Sequence, residues 1–315
     1  MKTLLRSGVL ATVAVVLAGG IVLGLVQHPQ AAEAQEGPKA HRTDWFHQAK
    51  WGVMFHFCSN WFKMGENWNK TIDEFDAKGL AKQLHEVGAG YLMITAKHCG
   101  VPIAPNSVYE KAHPGKCPKR DLIMDLADEL AKYDIKLMLY YATGMGVDGG
   151  KGGEFSAKVI EEFSKRYGTK VKGWWLDNNV GDERLQKLLA DACRAGNSDS
   201  LVAFSPPKNP QRNSKYEDYT AGNCHAPGEV GCPGRFIDGL QWHILTYLGH
   251  NWGGYTRKTG CRWPTGKVVG FANKFIPRGG VVTWDTPYET SGLIKAEFIP
   301  ILKAIGEACG TIKAK

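Results

Sequence analysis

The sequence predicts an α/β fold, a (β/α)8 TIM-like barrel that becomes irregular in its second half. Two observations carry that expectation. Short apolar runs alternate with amphipathic stretches of helical period, the pattern of βα units around a parallel sheet. Several of those runs end at polar or charged residues, as barrel strands do where they deliver side chains to a common pocket. Length agrees, since 315 residues exceed the roughly 250 typical of one barrel but leave no room for a large second domain.

The first residues read as an export segment. Lys2 and Arg6 make a positive start, Gly8 to Val26 is apolar, and Ala32-Glu33-Ala34 offers a small-residue cleavage site. A signal peptide over residues 1–34 and a single domain over 35–315 follow. An uncleaved anchor is the alternative, because the apolar run is nearly long enough to span a bilayer. Both place the domain outside the cytoplasm, secreted or periplasmic, with no other membrane contact expected. In an oxidising compartment the eight cysteines predict disulfides. Cys224 and Cys232, flanking a loop rich in Gly and Pro, are the preferred pair, and Cys58 could meet Cys99 if their strands are neighbours. A net charge of +8 favours anionic partners without identifying them. No arginine-rich run supports nucleic-acid binding.

Taken in order, Trp51 to Phe57 (WGVMFHF) is the first strand, and a helix from Asp76 with Leu80, Leu84 and Val87 on one face stops at Gly88. Tyr91 to Ala96 is the second strand. A proline-bearing loop leads to a helix capped by Asp121, with Leu122, Ile123, Leu126 and Leu130 inward. Lys136 to Ala142 is the third strand, and its glycine-rich loop, Thr143 to Gly153, precedes a helix with Phe155, Val159 and Phe163 on one face. That loop lacks the Gly-Lys-Ser/Thr ending of a phosphate loop. Val171 to Asp177 is the fourth strand; a helix over Arg184 to Arg194 and a fifth strand, Leu201 to Pro207, come next. Beyond lie a long loop from Lys208 to Arg235, a strand around Leu240 to Leu245, a strand from Gly280 and a closing helix from Gly292. One strand of the set has no clear signal.

Strand ends collect the chemistry. His56, Lys97, His98, Tyr141, Trp175, Asp177, and Trp242 with His243 fall where barrel strands face one pocket. Any one of these residues alone would suit packing or a core hydrogen bond; their shared placement favours a site. Asp177 ends an apolar strand that carries two tryptophans, so its charge needs a stabilising neighbour, and Lys97 is the basic candidate. The next helix starts near Asp182, too late for Asp177 to cap it. Aromatic rings beside an acid suit a sugar, whose C–H face stacks on indole while its hydroxyls take polar partners. His56, Cys58, His98 and Cys99 could form a zinc-like set, but oxidation of the cysteines is the favoured outcome, and neither metal nor cofactor is expected.

WGVMFHF, then Ile94 to His98 (ITAKH), then Trp174 to Asn178 (WWLDN), the spacing of Trp242 to Trp252-Gly253, and the strand after Arg278-Gly279-Gly280 together resemble the catalytic domain of α-L-fucosidases of glycoside hydrolase family 29. The resemblance covers most of Trp45 to Glu307. It implies a retaining glycosidase acting on α-L-fucosidic or similar deoxysugar linkages of a carbohydrate substrate, with Asp177 as nucleophile. His56, Lys97 and His98 match residues that hold sugar hydroxyls. Glu66 resembles one glutamate position used as acid/base, and Glu229 lies in the loop where another is often supplied. The chain departs from the family at His56-Phe57-Cys58, where His-Trp-Gly is usual, at Lys97-His98-Cys99-Gly100, where Lys-His-His-Asp-Gly is usual, and at Trp242-His243, where Trp-Glu is usual. The last is similar to endo-fucanases of family 107, which use a histidine acid/base and make His243 a rival to the glutamates. Two alternatives stay open: an endo-acting hydrolase of a sulfated fucan-type polysaccharide with His243 as acid/base, and a catalytically silent glycan-binding barrel.

Overall fold

The computed structural model describes residues 13–17, 20–24, 40–59, 66–98, 100–143, 152–177, 182–205, 211–254 and 259–313. The chain divides into Met1–Ala40 and His41–Lys315. In the first unit β1 (Val13–Leu17) pairs antiparallel with β2 (Gly20–Gly24). No described helix is long and apolar enough to cross a membrane.

The second unit is built on a seven-stranded parallel sheet. Its strands are β3 (Trp51–Phe55), β4 (Tyr91–Lys97), β5 (Lys136–Ala142), β6 (Val171–Asp177), β7 (Leu201–Phe204), β10 (His243–Tyr247) and β11 (Val281–Asp285), hydrogen-bonded in the order β10-β11-β3-β4-β5-β6-β7. All are almost wholly buried, because one face meets the barrel interior and the other the helices. Met54, Met93, Met138, Tyr140, Trp175 and Leu245 belong to the interior cluster. Their neighbours in sequence, such as Val53, Leu92, Leu139 and Ile244, join the cluster shared with the helices.

The helices begin and end where local chemistry dictates. Asp76 caps α3 (Ala77–Val87) by accepting from the Gly79 amide at 2.7 Å, and Gly88 closes it in the left-handed region at φ 78°. Asp121 caps α5 (Leu122–Ala131) and Asp182 caps α7 (Glu183–Arg194) in the same way. Asp177 therefore caps none of the described helices.

The strand with no clear signal proves not to be a regular strand. Between β7 and β10 the chain from Asp218 to Cys224 lies in the sixth position: the Asp218 amide donates to Val202 O at 2.9 Å, while Leu245 N donates to Gly222 O and Cys224 N to Leu245 O, each at 2.9 Å. Gly222 makes this approach feasible, with φ at 63° and an added Cβ running into the His243 carbonyl. The stretch read as one strand from Leu240 to Leu245 is two elements. A short hairpin of β8 (Phe236–Ile237) and β9 (Leu240–Gln241) comes first, and the barrel strand begins only at His243. Below, helix α1 (Asp44–Ala49) lays Phe46 against Tyr91, Tyr219 and His243, with centroids 5.0, 5.0 and 5.4 Å away, sealing the N-terminal end of the barrel.

The expected Cys224–Cys232 bridge is not formed: both are free, and the Cys232 thiol faces Gly234 O at 3.3 Å. Cys99, the proposed partner of Cys58, lies outside the described residues. Replacing Gly222 by Ala should cost about 2–4 kcal/mol through backbone strain and steric overlap, read as a lower midpoint in urea denaturation. An unchanged midpoint would mean that the sixth segment does not need this close approach.

Candidate functional site

At the C-terminal end of the sheet a cavity of about 340 Å³ is lined by His56, His98, Tyr140, Trp175, Asp177, Asn223, Leu245, Asn251 and Trp252, near the lower end of the size range for small-molecule sites. Strand pairing sets its wall. In the β5–β6 register Tyr140 lies opposite Trp175 and Ala142 opposite Asp177, so the Tyr140 and Trp175 rings stack, 4.9 Å apart and 15° from parallel. The Tyr140 hydroxyl donates to Asp177 Oδ2. That bond fixes the orientation of the carboxylate.

Two histidines complete this side. The His56 ring is 5.0 Å from Tyr140 and 6.0 Å from His98, and its Nδ1 is 3.2 Å from Asp285 Oδ2. Asp285 ends β11, is 1 % exposed, and also accepts from the Gly253 amide. One buried carboxylate thus orients His56 and anchors the turn that carries Trp252, whose ring is 5.7 Å from that of His56. For His98, burial is the main cause that lowers its pKa, to about 4; the neighbouring His56 and Lys97 act in the same direction and Asp177 opposes them. His98 is neutral at pH 7.

The structure thus brings together His56, His98, Trp175, Asp177 and Trp252 from the residues expected at the site. Lys97 and Tyr141 are fully buried and do not line the cavity; the ammonium of Lys97 sits 5.4 Å from the Tyr141 ring centroid. Tyr141 faces the helices, and the tyrosine at the site is Tyr140.

Trp242 and His243 stand at the opposite end of the barrel. Trp242 donates to Gly231 O at 3.1 Å and stacks on Phe275. His243 is fully buried: its Nδ1 donates to Thr220 O at 2.8 Å, and its Nε2 accepts from the Thr283 hydroxyl at 2.7 Å. The Tyr91 and Thr283 hydroxyls meet at 2.6 Å, so every polar atom of this group has a partner. Burial lowers the pKa of His243 to about 4. A neutral imidazole sealed at the N-terminal end cannot donate to a substrate at the C-terminal end, and His243 is withdrawn as acid/base. Glu229 is exposed and does not line the cavity; its Oε2 accepts from the amides of His225 and Ala226 at 2.9 and 3.2 Å. Glu66 opens helix α2 (Glu66–Asp73), and its side chain lies outside the described residues.

Sequence reading missed three further groups. Asn223 lines the cavity from the sixth segment. His225, just beyond it, is exposed and sets its ring 6.1 Å from both Trp252 and Tyr247, at the rim. Asp285 ends an apolar strand at an acid, the same signal that marks Asp177.

The family model for alpha-L-fucosidase matches residues 59–309. Among solved structures, an endo-fucoidan hydrolase of glycoside hydrolase family 107 aligns with a TM-score of 0.66 at 14 % identity, over 85 % of this chain and 93 % of that one. An alpha-L-fucosidase from Lactobacillus casei, in complex with its alpha-L-fucose product, aligns at 0.65 and 18 % identity over 85 % and 98 %. A family 29 alpha-L-fucosidase from Bacteroides thetaiotaomicron, trapped as a covalent intermediate, aligns at 0.65 and 17 % identity over 84 % and 74 %. At these identities the likeness is one of fold. No curated protein sequence matches.

Because His98 and His243 are both held near pKa 4 when folded and return to about 6.5 when unfolded, the unfolded chain binds more protons between those limits. Stability should be flat above about pH 6.5 and fall with acidification, by up to about 1.4 kcal/mol per pH unit for each group. Urea titrations between pH 7 and pH 4 measure this, and His243→Gln should reduce the slope. An unaltered slope would remove His243 as a source of it.

Proposed function

The chain belongs to the α-L-fucosidase family and is a glycoside hydrolase acting on fucose linkages, and from that premise we propose that it cleaves them with retention, Asp177 serving as nucleophile and His225 as acid/base. The observation that carries this reading is the Asp177 carboxylate at the end of β6, held by Tyr140 in a sugar-sized cavity beside the Tyr140–Trp175 stack. A hydrophobic ring face and an oriented carboxylate are what a deoxysugar with a reactive anomeric carbon requires. His56 and His98, both lining the cavity, suit the sugar hydroxyls.

In the first step Asp177 attacks the anomeric carbon while protonated His225 donates to the leaving oxygen, giving a glycosyl ester and a neutral imidazole. In the second, His225 takes a proton from water, whose oxygen displaces Asp177 and restores the carboxylate. The choice of His225 rests on position and access: it is exposed at the rim beside Trp252, and Glu229 holds its backbone amide. A fucan-cleaving, endo-acting enzyme with a histidine acid remains compatible with this site once that histidine is His225 and not His243. Export stays part of the proposal, on the strength of Lys2, Arg6, the apolar run and Ala32-Glu33-Ala34.

With an aryl α-L-fucoside, Asp177→Asn should lower kcat by about 10⁴-fold, and NMR of the first-formed sugar should show the α anomer. Near-parental activity of that variant, or release of the β anomer, would end the proposal. His225→Ala should slow a substrate with a poor leaving group by about 10²–10⁴-fold and an activated aryl fucoside far less. Equal losses on both substrates would assign His225 a role other than proton transfer.

A further inference from the structure

Rings and cations continue outward from the cavity wall. Trp252, which lines the cavity, meets Tyr247 edge-on with centroids 4.8 Å apart. The Arg262 guanidinium lies 5.2 Å from the Tyr247 ring and 4.6 Å from the Trp263 ring, and the Lys267 ammonium is 4.1 Å from the Trp263 ring. This row is tied to the barrel: the Arg262 amide donates to Leu248 O at 2.8 Å, just past the end of β10, and its guanidinium donates to the Tyr247 hydroxyl.

Among the described residues no carboxylate compensates the charge of this row. Elsewhere on the surface cations pair with carboxylates, as in Lys70–Glu74, Lys165–Glu161 and Lys187–Asp191. Arg262 and Lys267 are exposed, and among the described residues neither meets a carboxylate. Glu297 touches this loop by accepting from the Gly260 amide at 2.9 Å. Two like charges on one indole repel unless an anion lies between them. The rings hold both cations in place without neutralising them, and a planar guanidinium presents paired donors suited to an oxyanion.

We propose that Arg262, Trp263 and Lys267 form a subsite for a sugar that bears an oxyanion, a sulfate ester or a uronate carboxylate, next in the chain to the fucose in the cavity. The two cations take the charged substituent, and the indole between them holds them in place. This inference rests on the reading of the cavity as a fucose site, and it assigns the basic surface a specific task.

Calorimetric titration of the full chain tests it, using a sulfated fucan oligosaccharide, the same oligosaccharide after chemical desulfation, and a uronate-bearing fucosylated oligosaccharide of equal length. A charged ligand should bind about tenfold tighter than the desulfated one at low salt, and the advantage should shrink as salt rises. Whichever charged ligand shows the advantage identifies the oxyanion. Lys267→Gln, at an exposed position, and Arg262→Gln should each cut the ratio roughly three- to fivefold. Equal binding of all three ligands by the parent, or an undiminished ratio in a folded Lys267→Gln chain, overturns the subsite while leaving the fucose site standing. A parent chain that binds none of the three overturns both.

Discussion

The pairing of β5 with β6 is the constraint on which the site depends. It sets Tyr140 opposite Trp175 and Ala142 opposite Asp177. Side chains on a strand alternate between faces, so a slip of one residue would send Asp177 into the helix layer and bring Leu176 to the cavity. Burial on both faces makes such a slip costly, because an unpaired carboxylate among the helices would lose its hydration with nothing in return. The hydrogen bond from Tyr140 then orients the acid, and the stacked rings leave an apolar wall beside it. Everything else in the cleft is arranged around that wall.

The first four βα units and the fifth strand were legible because Gly, Pro and capping Asp residues separate them. Asp177, His56, His98, Trp175 and Trp252 were legible as strand-end or rim residues and do gather in one cavity. Tyr140 was not, because two adjacent tyrosines on a strand buried on both faces give no local sign of which points inward; only the pairing with β6 decides it. Trp242 and His243 were misplaced for a related reason. Leu240 to Tyr247 reads as one unbroken strand, yet β9 ends at Gln241 and β10 begins at His243, so residues read as the end of a strand lie at its beginning. His225 follows a segment without periodicity, and nothing in its neighbourhood marks a strand end. Asp285 could have been found, since GVVTWDT stops at an acid just as VKGWWLD does.

The two ends of the barrel treat histidine in opposite ways. At the sealed end His243 is enclosed by hydroxyls and a carbonyl, a set of partners that satisfies a neutral ring in one tautomer and holds the core together. At the open end the Nδ1 of His56 faces the Asp285 carboxylate, a partner that fixes the ring's orientation. Phe46 closes the first environment and Trp252 borders the second. The same side chain is sealed in the core in one place and lines the cavity in the other because of what surrounds it.

The irregular segment in the sixth position has a mechanical consequence. Six neighbouring strand pairs form ladders, whereas among the described residues β7 and β10 are joined through Asp218 to Cys224 by isolated bridges and single hydrogen bonds. The ring therefore has a seam. Asn223 and His225 are mounted along it, apart from the stack that holds Asp177. An occupant of the cavity therefore meets a wall of two kinds, a continuous ladder that carries Tyr140, Trp175 and Asp177 on one side and an irregular segment that carries Asn223 on the other.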